Sequence, residues 1–148
     1  SKDMVLEITE SVMLDASPAT LANLEALHRL GLQLSLDDFG TGYSSLSYLH
    51  RLPISELKLD KSFVQDLSNS VAAEALIRSV LGIARSLHMK VVAEGVETPA
   101  QRQWLQLQGC PVLQGYLFCR PLPPQELPGW LEGLRGTAPT PETAHSAR

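Results

Sequence analysis

Short apolar segments alternate with amphipathic segments along most of this chain, and this alternation restricts the fold more than any other feature. The pattern predicts strands at residues 5–9, 32–36, 56–60, 90–96 and 112–118. It predicts helices at residues 17–30, 44–49, 71–88, 98–108 and 123–134. Strands that alternate with helices indicate an α/β fold with a mostly parallel sheet.

Polar residues lie within or at the ends of successive predicted strands, which favours a TIM-like (β/α) barrel over other parallel sheets. Five strand-helix units are too few for a closed barrel, so we expect a partial barrel. A Rossmann-like open sheet is the structural alternative. It has little support because no GxGxxG segment follows the first predicted strand.

Composition argues against several classes of protein. The net charge is −4 without a long basic run, which argues against nucleic-acid binding. No stretch approaches the roughly 20 apolar residues that a membrane span requires. Cys110 and Cys119 have no metal-ligand spacing, so we expect reduced thiols in a cytoplasmic protein.

An aspartate pair, Asp37 and Asp38, follows the second predicted strand and begins a glycine-rich loop. Hard carboxylate oxygens suit Mg²⁺, Mn²⁺ or Ca²⁺. Gly40 and Gly42 would let the backbone approach a ligand closely. Taken alone, the pair is also compatible with a solvated turn or a helix cap.

Three further predicted strands carry ionisable residues. A carboxylate inside a strand buried on both faces needs a charged partner or a metal, which makes Glu7 a candidate unless it faces solvent. Lys58 is either an ion-pair partner or a contact to phosphate. Glu94 and Glu97 are candidates for holding a metal or orienting water, with a surface pair as the alternative.

Gln114 and Arg120 lie on either side of the last predicted strand's end and are candidates for binding phosphate or purine. The histidines lack zinc-ligand spacing, and no serine nucleophile elbow is present. The acidic residues and Lys58 together therefore predict metal-assisted hydrolysis of a phosphate ester, in which two nearby cations activate water and stabilise the leaving oxygen.

Five segments together resemble the EAL domain family of cyclic di-GMP phosphodiesterases. Residues 37–46 read DDFGTGYSSL, which is the family signature without a change. The other segments are residues 6–11, 57–64, 93–98 and 114–122. Cys119 stands where the family commonly has Ser. The resemblance extends over about residues 4–134, in order and at the expected spacing.

The resemblance implies a TIM-like barrel that hydrolyses cyclic di-GMP to linear pGpG with two Mg²⁺ or Mn²⁺ ions, and that Ca²⁺ inhibits. It implies that Glu7 and Asp37 ligate the first metal. Asp37, Asp38 and Glu94 would serve the second metal, with Asp37 bridging. Lys58 would contact the attacking water or the scissile phosphate.

The resemblance also implies supporting roles. Lys58, Glu94 and Glu97 would be catalytic, and Asp38, Lys58, Gln114 and Arg120 would bind substrate. Glu10 would hold the loop at residues 38–46, which couples dimerisation to metal binding in such domains.

The family's Glu-Ala-Leu strand and a later Asn ligand are expected to precede Ser1, because the Glu-Ala-Leu run at residues 25–27 falls in a predicted helix. We therefore expect residues 1–135 to be the C-terminal part of an EAL domain within a longer protein. Residues 136–148 are expected to be a disordered tail. The longer protein is expected to be active, and residues 1–148 alone weakly active or inactive.

The partners that the resemblance implies are cyclic di-GMP, a second copy in a homodimer, and an upstream sensor or GGDEF-type domain. Nucleic acid and membrane contact by this segment are not expected. The expected location is the cytoplasm, including for a longer protein tethered to a membrane. A non-catalytic module for cyclic di-GMP binding, or a dimerisation module, is the alternative function.

Overall fold

A computed structural model of the protein describes residues 4–10, 12, 17–40, 49 and 52–136. The chain divides into two compact units, Ser1–Phe118 and Cys119–Arg148. The described strands of the first unit are β1 (Val5–Thr9), β2 (Gln33–Phe39), β3 (Glu56–Leu59), β4 (Lys90–Ala93) and β5 (Val112–Leu113). Its described helices are α1 (Pro18–Arg29), α2 (Lys61–Gln65), α3 (Val71–Ser86) and α4 (Pro99–Leu107), with a 3₁₀ turn at Asp66–Ser68.

The five strands form one parallel sheet in the order β1-β2-β3-β4-β5. Each strand therefore pairs with the next strand along the chain, and the order never reverses. In a doubly wound Rossmann sheet the strand order reverses direction at the ligand site, whereas in a (β/α) barrel neighbouring strands follow one another in chain order. The sheet confirms the predicted α/β class and excludes the Rossmann-like alternative for the described strands.

The two faces of the sheet differ in polarity because side chains alternate along each strand. One face carries buried apolar residues that belong to the same core cluster as α3 and α4. From the sheet these are Leu34, Leu36, Leu57, Leu59, Val91 and Ala93. The register Glu7↔Ser35 places polar residues of two neighbouring strands together on the opposite face, where Lys58 is paired with Val92.

The helices of the first unit begin at capping residues, as their sequences predict. The Ser17 hydroxyl accepts from the Thr20 backbone N–H at 3.2 Å, and Pro18 is the first residue of α1. Thr98 and Gln101 form a capping box at the start of α4. On α3, the residues Ala73, Ile77, Val80, Leu81 and Ala84 are buried at helical spacing, so this helix packs its predicted apolar stripe into the core.

Several boundaries differ from those that the sequence predicts. β2 extends through Phe39, so Asp37 and Asp38 lie inside the strand rather than in a loop after it. β5 ends at Leu113, because the Leu117 N–H bonds to Val96 and the Phe118 N–H to Gly115 in a turn. The helix α2 was not predicted, since five residues are too few to show a helical period.

The second unit is described at residues 119–136 and contains α5 (Leu127–Gly136). This helix begins four residues later than its sequence predicts, because residues 124–126 form a turn. The predicted tail beyond Gly136 and the predicted helix at residues 44–49, apart from Leu49, lie outside the described residues. In the described part of the chain, every helix is too short or too polar to span a bilayer.

Candidate active site

The polar face of the sheet brings one lysine and three carboxylates together. The Lys58 Nζ lies 2.8 Å from Glu7 Oε1, 2.7 Å from Glu94 Oε1 and 3.4 Å from Asp37 Oδ1. The carboxylates come from β1, β2 and the residue after β4, and Lys58 lies on β3 between them. Four neighbouring parallel strands thus supply the cluster toward their carboxyl-terminal ends, as expected of a barrel.

Strand geometry fixes the members of this cluster. Asp37 pairs with Thr9, two residues beyond Glu7, so the two carboxylates lie on the same face of adjacent strands. The Glu94 backbone N–H donates to the Leu59 carbonyl at 3.2 Å. This bond continues the pairing of β3 and β4 and holds Glu94 beside Lys58.

The cluster contains one lysine and three carboxylates, and the lysine side chain is less exposed to solvent than the carboxylate side chains. The Lys58 side chain is 9% exposed, whereas those of Glu7, Asp37 and Glu94 are 51%, 24% and 20% exposed. Burial lowers the pKa of Lys58, but hydrogen bonds from its ammonium to Glu7 and Glu94 and the nearby carboxylate charges outweigh burial, so its pKa lies above the usual range. Lys58 is therefore positively charged beside three carboxylates.

Asp38 lies beside the cluster in an unusual backbone conformation. Its φ is 55°, and the β2–β3 register shifts between Leu36 and Phe39. Its N–H donates to Asp37 Oδ1 at 3.0 Å. Partial desolvation and the charges of Asp37 and Asp60 raise the pKa of Asp38. A non-glycine residue at positive φ within a strand is a form of strain that often accompanies functional sites.

A cavity of about 230 Å³ opens next to Glu94. It is lined by Lys61, Gln65, Glu94, Gly95, Glu97, Gln114, Gly115 and Tyr116. A Cβ on Gly115 would lie 2.2 Å from the Val96 carbonyl oxygen, so only glycine fits there. Three predicted site residues, Glu94, Glu97 and Gln114, thus share one cavity.

Gln101 fixes the backbone that carries Glu97. Its side-chain oxygen accepts from the Glu97 and Thr98 backbone N–H groups, both at 2.9 Å. Its amide nitrogen donates to the Val64 carbonyl at 3.1 Å. The buried amide therefore joins the turn before α4 to α2 and holds the cavity wall in place.

The structure brings most of the predicted site residues together in the first unit. Glu10 directly follows β1 and is buried. Arg120 belongs to the second unit, and its contact with substrate stays a prediction. Sequence reasoning missed Lys61, Gln65 and Tyr116, although Lys61 lies two residues after the end of β3 and Tyr116 follows the obligatory Gly115.

The chemistry of the cluster fits a hard divalent cation, since its donors are carboxylate oxygens. Asp37, Glu7 and Glu94 supply such oxygens within one cluster. As arranged, the described residues contain no group of three or more His, Cys, Asp or Glu side chains that would hold a metal ion. The carboxylates converge instead on the Lys58 ammonium.

The chain belongs to the EAL domain family, whose model matches residues 1–121. The cyclic di-GMP phosphodiesterase NbdA of Pseudomonas aeruginosa is 47% identical to it over 136 residues, which are 92% of this chain and 17% of NbdA. The chain therefore spans less than a fifth of that relative.

Two solved structures share the fold. The PaMucR phosphodiesterase in complex with c-di-GMP has a TM-score of 0.82 and 46% identity, and the match covers 85% of this chain and 51% of that one. Klebsiella pneumoniae BlrP1, solved with manganese and cyclic di-GMP, has a TM-score of 0.75 and 38% identity, over 81% of this chain and 31% of that one. The sequential sheet is thus part of a TIM-like barrel of the EAL type.

Proposed function

We propose that the protein carrying this chain hydrolyses one phosphodiester of cyclic di-GMP, giving linear pGpG, and that it requires divalent cations. The observation that carries the proposal is the convergence of Glu7, Asp37 and Glu94 on Lys58 at one edge of a parallel sheet. Membership of the EAL family and similarity to relatives named as cyclic di-GMP phosphodiesterases support it.

The carboxylates would hold two Mg²⁺ or Mn²⁺ ions. Glu7 and Asp37 would bind one ion, and Asp37, Asp38 and Glu94 the other, with Asp37 shared. Such ions supply Lewis-acid activation of water and neutralise charge on a phosphate. Ca²⁺ would occupy the site without supporting turnover, because its coordination is larger and less strict than that of Mg²⁺.

The protein's own groups would orient the substrate. The Lys58 ammonium would donate to the attacking water or to a phosphate oxygen, where negative charge grows in the transition state. The water oxygen would form the new bond to phosphorus and give up a proton, one P–O ester bond would break, and the leaving sugar oxygen would take up a proton and become a hydroxyl. Glu97 and Gln114, in the cavity beside Glu94, would position the nucleotide and the water.

The wider arrangement is part of the proposal. The protein would act as a homodimer in the cytoplasm, with Glu10 holding the loop at residues 38–46. A sensor or GGDEF-type domain would precede the EAL domain. Similarity to NbdA over only 17% of that relative's length is compatible with further domains.

Hydrolysis is tested by incubating the whole protein with cyclic di-GMP and Mn²⁺ and separating nucleotides by chromatography. We expect pGpG release that stops on chelation. Glu94→Gln keeps the side-chain shape but removes a charge, and we expect it to lower the rate about 100-fold or more. Glu25→Gln, the same change on the exposed surface of α1, should leave the rate unchanged.

Two outcomes would contradict the proposal. Tight cyclic di-GMP binding without pGpG release, in Mn²⁺ and in Mg²⁺, would identify a binding module. Absence of both binding and release, with a stable dimer, would identify a dimerisation module.

A further inference from the structure

Lys58 is more enclosed than the carboxylates around it. Its side chain is 9% exposed, whereas the least exposed of the three carboxylates, Glu94, is 20% exposed. An ammonium has three N–H donors, and three carboxylate oxygens lie within 3.4 Å of Nζ. The lysine therefore occupies the point on which the acidic side chains converge.

The charge balance shows why a cation is needed at that point. Without Lys58, the carboxylates of Glu7, Asp37 and Glu94 would face one another, and like charges at short range repel strongly when partly buried. With Lys58, two negative charges remain in excess. The cluster thus stays attractive to a further cation while the lysine holds it together.

We propose that Lys58 is the resident cation of the site when no divalent ion is bound, and that a divalent ion binds only by displacing its ammonium from Glu7, Asp37 and Glu94. The inference rests on the proposed function in that these carboxylates hold the metal. Lys58 then sets the cation concentration at which the site fills. It lowers metal affinity, in contrast to a residue that merely supports the site.

Displacement would also change what Lys58 does. While its ammonium is paired with three carboxylates, its N–H donors are engaged within the protein. Once released from them, the ammonium has donors available for a phosphate oxygen or for water. Binding of the divalent ion would thus release the Lys58 ammonium toward the substrate in one coupled event. Without the ion, Lys58 would stay paired with the carboxylates and would not contact the substrate.

Calorimetric titration of the whole protein with Mn²⁺, in the absence of nucleotide, tests this inference. We expect Lys58→Met to bind Mn²⁺ about tenfold more tightly or better, which corresponds to about 1.4 kcal/mol. Lys58→Arg keeps a cation and should bind as weakly as the wild type. Lys90→Met removes a lysine from the exposed start of β4 and should change affinity less than about twofold.

A second readout follows the thermal midpoint with and without Mn²⁺. Lys58→Met should melt lower than the wild type in chelator and should gain more from Mn²⁺. Lys58→Gln, which keeps hydrogen-bond donors without the charge, replaces Lys58→Met in both measurements where the methionine variant is insoluble, and the same increase in affinity is expected.

Unchanged or weaker Mn²⁺ binding by the neutral variants would overturn the inference, while pGpG release by the wild type would still uphold the proposed function. A wild type that binds no Mn²⁺ would overturn both. Equally tight binding by Lys58→Arg and Lys58→Met would also overturn the inference, because the side chain's charge would then not matter.

Discussion

Lys58 and Gln101 are two polar residues of the first unit that are equally buried, each with 7% of its surface exposed. Gln101 is neutral, and among the described residues its amide bonds to backbone groups at Glu97, Thr98 and Val64. Lys58 is charged, and its partners are three carboxylates, two in β1 and β2 and one directly after β4. A buried amide whose hydrogen bonds are made to backbone groups stabilises the fold. A buried cation among a larger number of carboxylates leaves an excess of negative charge, which attracts a cationic ligand.

Replacing each residue by methionine sharpens this comparison, and Lys58→Met should have the largest effect. We expect kcat for cyclic di-GMP to fall about 100- to 1,000-fold at saturating Mn²⁺, since a donor to the transition state is lost. Steady-state kinetics of pGpG release measures this fall in kcat. A fall of less than about threefold would show that the ammonium is not part of the reaction.

Gln101→Met should instead lower the free energy of unfolding, by about 3 kcal/mol, because two backbone N–H groups and one carbonyl lose their buried partner. Urea denaturation followed by circular dichroism gives this value. The kcat of the folded fraction should fall far less than in Lys58→Met. Equal losses of kcat in the two variants would remove the distinction between them.

Arg78→Ala should have a smaller effect, because its side chain is 54% exposed. It pairs with Glu74 at 3.1 Å, bonds to Gln108 and lies over the Trp104 ring. Exposed pairs of this kind contribute about 1 kcal/mol or less. The same urea titration measures it, and a loss comparable to that of Gln101→Met would mean that surface contacts between α3 and α4 matter as much as the buried amide.

Ser35→Ala should have the smallest effect. The Ser35 hydroxyl is fully buried on the polar face and has no hydrogen-bond partner among the residues that the structure describes. Removing an unsatisfied buried hydroxyl costs little or stabilises slightly, within about 0.5 kcal/mol. A loss above about 1 kcal/mol would instead indicate a buried water bound to Ser35.

Much of the fold could be predicted from the sequence because local signals agreed with the final structure. Ser17 with Pro18, and Thr98 with Pro99, cap helices where their chemistry predicts. The predicted end of the second strand was wrong, because contacts with neighbouring strands and not local sequence set that boundary. β2 continues through Asp37 and Asp38, where its pairing with β3 changes register, and no periodicity in the sequence predicts such a shift.

The candidate site could be predicted as a set of residues but not as an arrangement. Carboxylates and a lysine at strand ends indicated Glu7, Asp37, Lys58 and Glu94, and the structure brings them together. Their convergence on one ammonium depends on side-chain reach across three strands, which sequence spacing does not encode. The bonds of Gln101 to α2 join residues 37 positions apart and were likewise not predictable.

The Mn²⁺ dependence of pGpG release, measured side by side in the wild type and Lys58→Met, tests the central claim most directly. Lys58 is assigned two roles: it competes with the divalent ion for the carboxylates, and it donates to the transition state. The first role predicts that Lys58→Met reaches half its maximal rate at a lower Mn²⁺ concentration, and the second predicts that its maximal rate is far lower than that of the wild type. A higher Mn²⁺ requirement in Lys58→Met, or an unchanged maximal rate, would contradict the assignment of one lysine to both roles.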